Sequence, residues 1–206
     1  MSQTTIDLLR HGEPVGGRAY RGAGIDDPLS EQGWAQMWAA VGGSEQGGDD
    51  EPCPWTRIVS SPLARCRDFA EALGARHGLP VGVEPRLREV GFGSWEGRTP
   101  AEVQRESAEE YAAFYRDPVH NRPPGAEPLA AFVDRIVAAF EQTLRAHAGE
   151  HLLLVVHAGV IRAVVAHVLA ADLARAYRVA VDNACFTRVI DGERGRVLAF
   201  HNRPRL

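Results

Sequence analysis

The pattern of apolar and polar residues predicts a chain in which strands and helices alternate. Short apolar runs are typical of buried strands, and they occur at 6–9, 57–60, 81–84 and 152–156. Apolar residues spaced three or four positions apart are typical of helices, and this spacing occurs near 31–41, 62–77, 129–148 and 160–170. Two closing strands, at 185–190 and 197–201, are predicted around a turn at Asp191 and Gly192.

Alternating strands and helices favour a three-layer α/β fold, in which helices cover both faces of a mostly parallel sheet. The length of 206 residues suits one domain, which we expect to span 1–206. Residues 99–117 have the spacing of two short helices, and a proline-rich stretch follows them. We therefore expect 98–128 to be a helical insertion that covers the active site. The acidic, glycine-rich run at 42–54 is expected to be an exposed connection.

Composition and charge narrow the classes of function. The formal net charge is −4 and no block of basic residues occurs, which argues against a nucleic-acid partner. All 23 basic residues are arginines. Every cationic contact to a substrate must therefore come from a guanidinium, and a Schiff-base lysine is excluded.

The cysteines and the apolar runs bear on the cellular compartment. Cys53, Cys66 and Cys185 have neither disulfide nor metal spacing and are typical of free thiols in a reducing compartment. The opening residues MSQTTID do not form a charged-then-apolar signal segment, and no apolar run reaches the ~18 residues of a membrane span. We therefore expect a cytoplasmic protein without a membrane partner. The sequence leaves open whether it forms a homodimer.

Charged and imidazole side chains follow the apolar strands at the ends where α/β folds place their ligands. Arg10 and His11 come directly after the first strand, and His157 comes directly after the most apolar strand. Arg65 lies in the first turn of a predicted helix, where free backbone amides and the helix dipole favour an anion. Glu89 lies among apolar residues in an irregular segment. We expect these side chains to converge at one edge of the sheet.

This set of side chains favours phosphoryl transfer over two other chemistries. The histidines lack the HExxH spacing of zinc sites, and the arginines would repel a cation. No GxSxG motif is present, which argues against a serine hydrolase. Guanidinium and imidazole groups instead suit a phosphoryl group, whose oxygens need charge stabilisation during transfer. Plainer roles stay open here, such as a surface ion pair for Arg65 and structural packing for His157.

Four motifs in a fixed order make the chain similar to a known family. They are RHGEP at 10–14, SSPLARC at 60–66, LREVGFGSWEG at 87–97 and VVHAGVIR at 155–162. The chain resembles the histidine phosphatase superfamily, which has the phosphoglycerate-mutase-like fold. The resemblance implies that His11 is the nucleophile that becomes phosphohistidine and that Glu89 is the proton donor. It also implies that Arg10, Arg65 and His157 form the phosphate pocket.

The resemblance also bears on the other contacts of the substrate. Further substrate-binding residues are predicted beside the same strand ends, namely Gly12, Glu13, Arg21 and Ala158. No metal and no cofactor are implied. His11 must be neutral to attack, so we expect the neighbouring arginines to lower its pKa and a backbone carbonyl on its other ring nitrogen to fix the tautomer.

Within the superfamily, the chain looks most similar to bacterial α-ribazole phosphatases, because RHGEP is followed by RGAGIDDPLSEQG and the chain is short. It departs from the usual motifs at 157–159, where HAG replaces HGG, and at 125–128, where GAEP replaces GGES. We expect these changes to alter substrate contacts and to spare the phosphate pocket. The predicted function is hydrolysis of a small phosphorylated metabolite. The alternatives are a cofactor-dependent phosphoglycerate mutase and a catalytically silent member that binds a phosphorylated ligand.

Overall fold

A computed structural model of the chain describes residues 3–44, 47 and 52–206. Its strands are β1 (Thr4–Arg10), β2 (Arg57–Ser60), β3 (Val81–Val83), β4 (His151–Val156), β5 (Phe186–Gly192) and β6 (Gly195–Arg203). Its α-helices are α1 (Glu31–Ala40), α2 (Ala64–His77), α3 (Pro100–Glu106), α4 (Ala108–Arg116), α5 (Leu129–Ala146) and α6 (Ala158–Val168). Three short 3₁₀ helices cover Pro85–Leu87, Gly93–Trp95 and Leu173–Arg178.

The six strands form one mixed sheet in the order β3-β2-β4-β1-β5-β6. β1, β2, β3 and β4 are parallel to one another, whereas β5 pairs antiparallel with β1 and β6 pairs antiparallel with β5 at one edge. The predicted α/β fold with a mostly parallel sheet is therefore confirmed.

The register of the central strands β1 and β4 places His11 and His157 at the same level of the sheet. Arg10, the last residue of β1, pairs with Val156, the last residue of β4. His11 and His157 follow these partners directly, so both imidazoles leave the sheet side by side. The strand register thus determines the meeting of the two histidines, which lie far apart in the sequence.

The apolar core is divided between the two faces of the sheet. Successive strand residues point to opposite faces, so Leu8 packs with the cluster under α5 and α6, whereas Leu9 packs with the cluster under α1 and α2. The three leucines of β4, Leu152, Leu153 and Leu154, are fully buried. This two-sided burial explains why the sequence of β4 is an unbroken apolar run.

Several predicted element boundaries hold and others shift. α1 begins after Ser30, whose side chain accepts a hydrogen bond from the amide of Gly33 as predicted for an N-cap. α2 begins two residues after Pro62, because Leu63 is still extended and Asp26 Oδ1 accepts the Ala64 amide at 2.7 Å. Of the connection predicted at 42–54, residues 45, 46 and 48–51 lie outside the described residues.

The predicted turn at Asp191 and Gly192 is wrong by two residues. Both of these residues belong to β5, and the turn lies at Glu193 and Arg194. The next residue, Gly195, has a φ of +88°, a conformation that glycine adopts at low cost and other residues rarely adopt. The glycine that the hairpin requires is therefore the one after the turn.

The insertion contains the two short helices that the sequence predicts, α3 and α4. Thr99 and Glu102 form a capping box at the start of α3, in which each side chain accepts a hydrogen bond from the backbone amide of the other residue. The Tyr115 hydroxyl of α4 lies 2.8 Å from the hydroxyl of Tyr20 in the loop after β1. Within the described residues, no helix has both the length and the apolar character needed to cross a membrane.

Candidate active site

His11 is buried at the carboxyl end of β1, and its backbone amide donates to the Val156 carbonyl at 3.0 Å. Its Nδ1 lies 2.7 Å from the carbonyl oxygen of Gly12. A carbonyl can only accept, so Nδ1 carries the ring proton and Nε2 keeps a free electron pair. A Cβ on Gly12 would lie 2.3 Å from the Gly33 carbonyl oxygen, so glycine alone permits this turn against α1.

The imidazole of His11 is held neutral by its surroundings. Burial lowers its pKa well below the usual value, and the charges of Arg10 and Arg65 lower it further. The hydrogen bond to Gly12 opposes these effects without outweighing them. The structure confirms the expected direction of the pKa shift and the expected carbonyl partner, although burial lowers the pKa more than any single arginine does.

His157 lies opposite His11 and precedes the first residue of α6. The centroids of the two rings are 5.2 Å apart, with an angle of 64° between their planes. His157 is fully buried, and Ser61 Oγ lies 2.7 Å from its Nε2. Burial, followed by the charge of Arg65, lowers the pKa of His157 well below its usual value. Both imidazoles are therefore uncharged at neutral pH.

Two guanidinium groups flank the imidazoles, and each has a buried nitrogen without a partner. Arg65 is 1% exposed, and its Nη1 and Nη2 donate to the carbonyls of Ile25 and Gly22, both at 2.9 Å. Arg10 Nη1 donates to the Val181 carbonyl at 2.5 Å. The Nε atoms of Arg10 and Arg65 are two of only four buried side-chain nitrogen or oxygen atoms in the described residues that lack a hydrogen bond. Unsatisfied buried donors at one place point to an anion that is bound there.

Glu89 is buried beside the first turn of α6. Its Oε2 accepts the Gly159 amide at 3.1 Å, and its Oε1 accepts the Val90 amide at 2.9 Å. A Cβ on Gly159 would lie 2.2 Å from Glu89 Oε1. Any larger residue at the second glycine of the usual HGG motif would therefore displace the carboxylate from its present position, whereas the first position accommodates Ala158.

The other predicted substrate-binding residues lie around this centre and differ in burial and in hydrogen-bond partners. Arg21 is buried and donates to Asp27 Oδ2 at 2.8 Å, and its charge also lowers the pKa of His11. Ala158 is a buried residue in the first turn of α6. The backbone of Glu13 is held by α1, because its amide donates to Gln36 Oε1 and its carbonyl accepts from Ser30 Oγ.

The residues that hold the site in place are not among those predicted from the sequence. Ser61 lies inside the SSPLARC motif and contacts His157, so its position in that motif was the available signal. Arg135 donates to the Glu89 carbonyl at 3.1 Å and forms a two-point ion pair with Glu127 at 2.8 Å. Glu127 belongs to the departing GAEP segment, so that segment supports the loop that carries Glu89. Within residues 3–44, 47 and 52–206, no group of three histidine, cysteine or acidic side chains could hold a metal ion.

The chain is similar to known phosphatases over most of its length. An adenosylcobalamin/α-ribazole phosphatase of Salmonella typhimurium is 30% identical over 184 residues, which cover 88% of this chain and 88% of that protein. A solved structure of a mycobacterial glucosyl-3-phosphoglycerate phosphatase has a TM-score of 0.80 and 28% identity over 98% of this chain and 99% of that chain. The matches therefore extend over nearly the whole fold.

One set of relatives is longer than this chain. A bifunctional protein of Mycobacterium tuberculosis is 31% identical over 182 residues, which are 88% of this chain but 48% of that protein. The chain thus spans about half the length of the first curated relatives that it matches. The model of the histidine phosphatase superfamily, branch 1, matches residues 6–204, and the chain therefore belongs to that superfamily.

Proposed function

We propose that this protein is a phosphomonoesterase that hydrolyses a small phosphorylated metabolite through a phosphohistidine on His11. The observation that carries the proposal is the pair of buried, unpartnered Nε donors of Arg10 and Arg65 beside a neutral imidazole. Planar guanidinium groups match phosphate oxygens well. A neutral imidazole with its proton fixed on Nδ1 presents Nε2 as the nucleophile.

The proposed reaction has two displacement steps at phosphorus. In the first step, His11 Nε2 attacks the phosphorus atom, the bond to the alcohol oxygen breaks, and Glu89 gives its proton to that oxygen. In the second step, a water oxygen attacks the phosphohistidine, Glu89 takes a proton from the water, and the N–P bond breaks to release phosphate. Arg10, Arg65 and His157 hold the phosphoryl oxygens in both steps and stabilise their developing charge.

The activities named for the relatives support a phosphatase and leave its substrate undefined. One relative is named an adenosylcobalamin/α-ribazole phosphatase, and the mycobacterial neighbour is named a glucosyl-3-phosphoglycerate phosphatase. These alcohols differ in size and charge, while the group that is removed is the same. We therefore propose a small phosphorylated metabolite as the substrate class, with an α-ribazole ester as one member to test.

The outer parts of the proposed site include Gly12, Glu13, Arg21, Ala158 and the insertion at 98–128. We propose that the chain is one domain and that this insertion is a lid. The contact between the Tyr115 and Tyr20 hydroxyls supports a lid, because it joins α4 to the loop after β1, which also contributes carbonyls to Arg65. Such an insertion can shield a covalent intermediate from solvent.

The cellular setting is part of the same proposal. All three cysteines are free thiols, which favours a reducing compartment and hence the cytoplasm. Small phosphorylated molecules are the partners that the reaction requires. Association into a homodimer stays a prediction, which light scattering of the purified protein tests by a mass of one or two chains.

The direct test is to trap the covalent intermediate. Wild-type protein, the His11→Ala variant and the His77→Ala control at the end of α2 are mixed with ³²P-labelled phosphomonoester and quenched in alkali, which preserves phosphohistidine. We expect labelled protein in the wild type and the control and none in His11→Ala. Label in His11→Ala would contradict the nucleophile assignment, and binding without turnover in all three proteins would favour the silent alternative.

A second measurement separates the phosphatase from a mutase. The protein is incubated with 3-phosphoglycerate and a catalytic amount of 2,3-bisphosphoglycerate, and free phosphate and 2-phosphoglycerate are both measured. A phosphatase transfers the phosphoryl group to water, so hydrolysis of a phosphomonoester panel and little 2-phosphoglycerate are expected. Efficient formation of 2-phosphoglycerate with little free phosphate would instead identify a mutase.

A further inference from the structure

Arg162 has a guanidinium group that the fold leaves only partly engaged. It lies on α6, three residues after Gly159, so it projects from the same side of the helix that faces Glu89. Its Nε donates to the Val179 carbonyl at 2.9 Å, and its guanidinium carbon lies 5.2 Å from the centre of the Tyr177 ring. No carboxylate among the described residues pairs with it, so its terminal nitrogens are free for a ligand.

The charge of Arg162 is close enough to the phosphate pocket to act on it. Burial and the nearby charge of Arg162 help to lower the pKa of Arg10 to about 10, although the Glu89 carboxylate opposes them. Asp182 also opposes them, but its carboxylate is already bound to Asn202 Nδ2 at 2.7 Å. Two guanidinium groups that repel one another are stabilised by an anion that both can approach.

Tyr177 continues this polar edge on the side of Glu89. Burial raises the pKa of Tyr177, and the charges of Arg122, Glu89 and Arg162 all act on it, which places its hydroxyl among those three groups. Arg122 Nη1 donates to this hydroxyl at 3.3 Å. The hydroxyl therefore accepts from Arg122 and has its own proton available for a ligand.

A small apolar hollow lies beneath these groups. Its lining includes Gly159, Arg162 and Tyr177 together with apolar side chains of α5 and α6. Gly159 connects this hollow to the proposed catalytic centre, because its amide binds Glu89. In the proposed reaction Glu89 gives its proton to the leaving oxygen, so the leaving alcohol lies on this side of the pocket.

We propose that Arg162 and the Tyr177 hydroxyl form a second anion subsite, and that the preferred substrates are phosphomonoesters whose alcohol carries a carboxylate. This inference rests on the proposed phosphatase function. A guanidinium binds a carboxylate through two parallel hydrogen bonds, and the lack of lysine makes guanidinium groups the only side-chain cations of fixed charge in the chain. Arg162 thereby selects the alcohol, while Arg10 and Arg65 hold the phosphoryl group.

Substrate pairs that differ mainly by one carboxylate test the inference. O-phosphoserine is compared with O-phosphoethanolamine, and 3-phosphoglycerate is compared with glycerol 3-phosphate. We expect kcat/KM of the wild type to favour the carboxylate member of each pair by about tenfold or more, the size of a charge-assisted hydrogen bond. Equal kcat/KM values within both pairs would overturn the proposed subsite.

The Arg162→Gln variant tests whether Arg162 causes the preference for substrates that carry a carboxylate. We expect the ratio of kcat/KM values within each pair to fall by about tenfold, because glutamine retains polarity but carries no charge. Arg145→Gln is the control, since Arg145 is 70% exposed near the end of α5 and its loss changes the net charge equally. A ratio that survives Arg162→Gln, or that falls equally in Arg145→Gln, would contradict the assignment.

The salt dependence of the wild-type preference tests the subsite without any variant. Raising the salt concentration from about 0.05 to about 0.5 M shortens the screening length several-fold and should reduce the wild-type preference within each pair. A preference that is unaffected by salt would argue against the charged subsite.

The outcomes separate this inference from the proposed function on which it rests. If no phosphomonoester is hydrolysed, p-nitrophenyl phosphate included, the proposed phosphatase function fails. Hydrolysis without a carboxylate preference overturns only this inference.

Discussion

The backbone amide of Gly159 donates a hydrogen bond to Glu89 Oε2 at 3.1 Å, and it does so from the first turn of α6. The Val90 amide donates to the other carboxylate oxygen, Oε1. The Glu89 carboxylate is therefore held between its own loop and the first turn of α6. The proposed proton donor is therefore positioned by the helix that directly follows His157. A change at Gly159 must act on the chemistry that is assigned to Glu89.

We predict that Gly159→Ala lowers kcat by about a hundredfold for esters with poor leaving groups, the scale of general acid catalysis. The added Cβ would lie 2.2 Å from Glu89 Oε1, so the carboxylate must move away from its amide partners. p-Nitrophenyl phosphate should lose much less, because its leaving group needs little proton donation. Steady-state rates over a series of leaving groups check this.

The matched control for that variant is Gly82→Ala on strand β3. A Cβ on Gly82 would meet no atom within 4 Å, so its substitution tests the loss of a glycine without a steric conflict. We expect the control to retain wild-type rates for every ester. Equal losses of activity across leaving groups in Gly159→Ala would move the proton-donor role away from Glu89.

The central part of the site could be predicted because it depends on strong sequence signals. The apolar runs of β1 and β4 predict neighbouring buried strands, and each run ends directly before a histidine. The pairing of Arg10 with Val156 then brings His11 and His157 together without any long loop. Because both strands are buried on both faces, their apolar runs predict that they lie at the centre of the sheet and where they end, but the runs do not fix the register by themselves.

The supporting contacts could not be predicted because they depend on loop conformation. Arg65 is oriented by the carbonyls of Gly22 and Ile25, and no side-chain pattern specifies which carbonyl a guanidinium reaches. Gly22 adopts a φ of +58°, and a Cβ there would lie 1.9 Å from Glu96 Oε1. Gly22 and Glu96 are 74 positions apart in the sequence, so local propensities cannot predict this contact.

We predict that Arg65→Ala lowers kcat by about two to three orders of magnitude, as expected when one fixed donor to developing charge is lost. Arg65→Lys should recover only part of the activity, because an ammonium group cannot replace the guanidinium that spans Gly22 and Ile25. Arg67→Ala, on the same helix but 40% exposed, is the control. Unchanged kcat and unchanged vanadate inhibition in Arg65→Ala would reduce Arg65 to a structural role.

The ionisation of His11 gives a prediction that does not depend on turnover. Burial and the charges of Arg10 and Arg65 hold its pKa well below 6.5, so its ring should stay neutral as the pH falls from 7.5 to 5.5. In Arg65→Gln one of these causes is removed, so the pKa of His11 should rise. Histidine ring resonances, assigned with His11→Asn, report both effects by NMR. Titration of His11 near 6.5 in the wild type would contradict the buried, cationic surroundings.

A second charge cluster surrounds a buried carboxylate in the middle of β1. Asp7 is fully buried in β1 and accepts hydrogen bonds from Arg188 Nε at 2.7 Å, from His151 Nε2 at 2.8 Å and from Trp55 Nε1 at 2.9 Å. Burial alone would raise the pKa of Asp7, but these hydrogen bonds outweigh it and hold the pKa below its usual value. The cluster ties β1 to β4, to β5 and to the segment before β2.

We predict that Asp7→Asn lowers the free energy of unfolding at pH 7 by about 2–3 kcal/mol, the scale of hydrogen bonds to a buried charge. Because the folded-state pKa of Asp7 is depressed, its contribution is present above the unfolded value of 3.8 and is lost as the pH falls through the lower folded value. The gap between wild type and variant in urea unfolding should therefore shrink below about pH 4. Asp68→Asn, which removes an exposed partner of Arg67, should show little gap at any pH. A gap that is independent of pH would mean that Asp7 stabilises the fold by its shape and not by its charge.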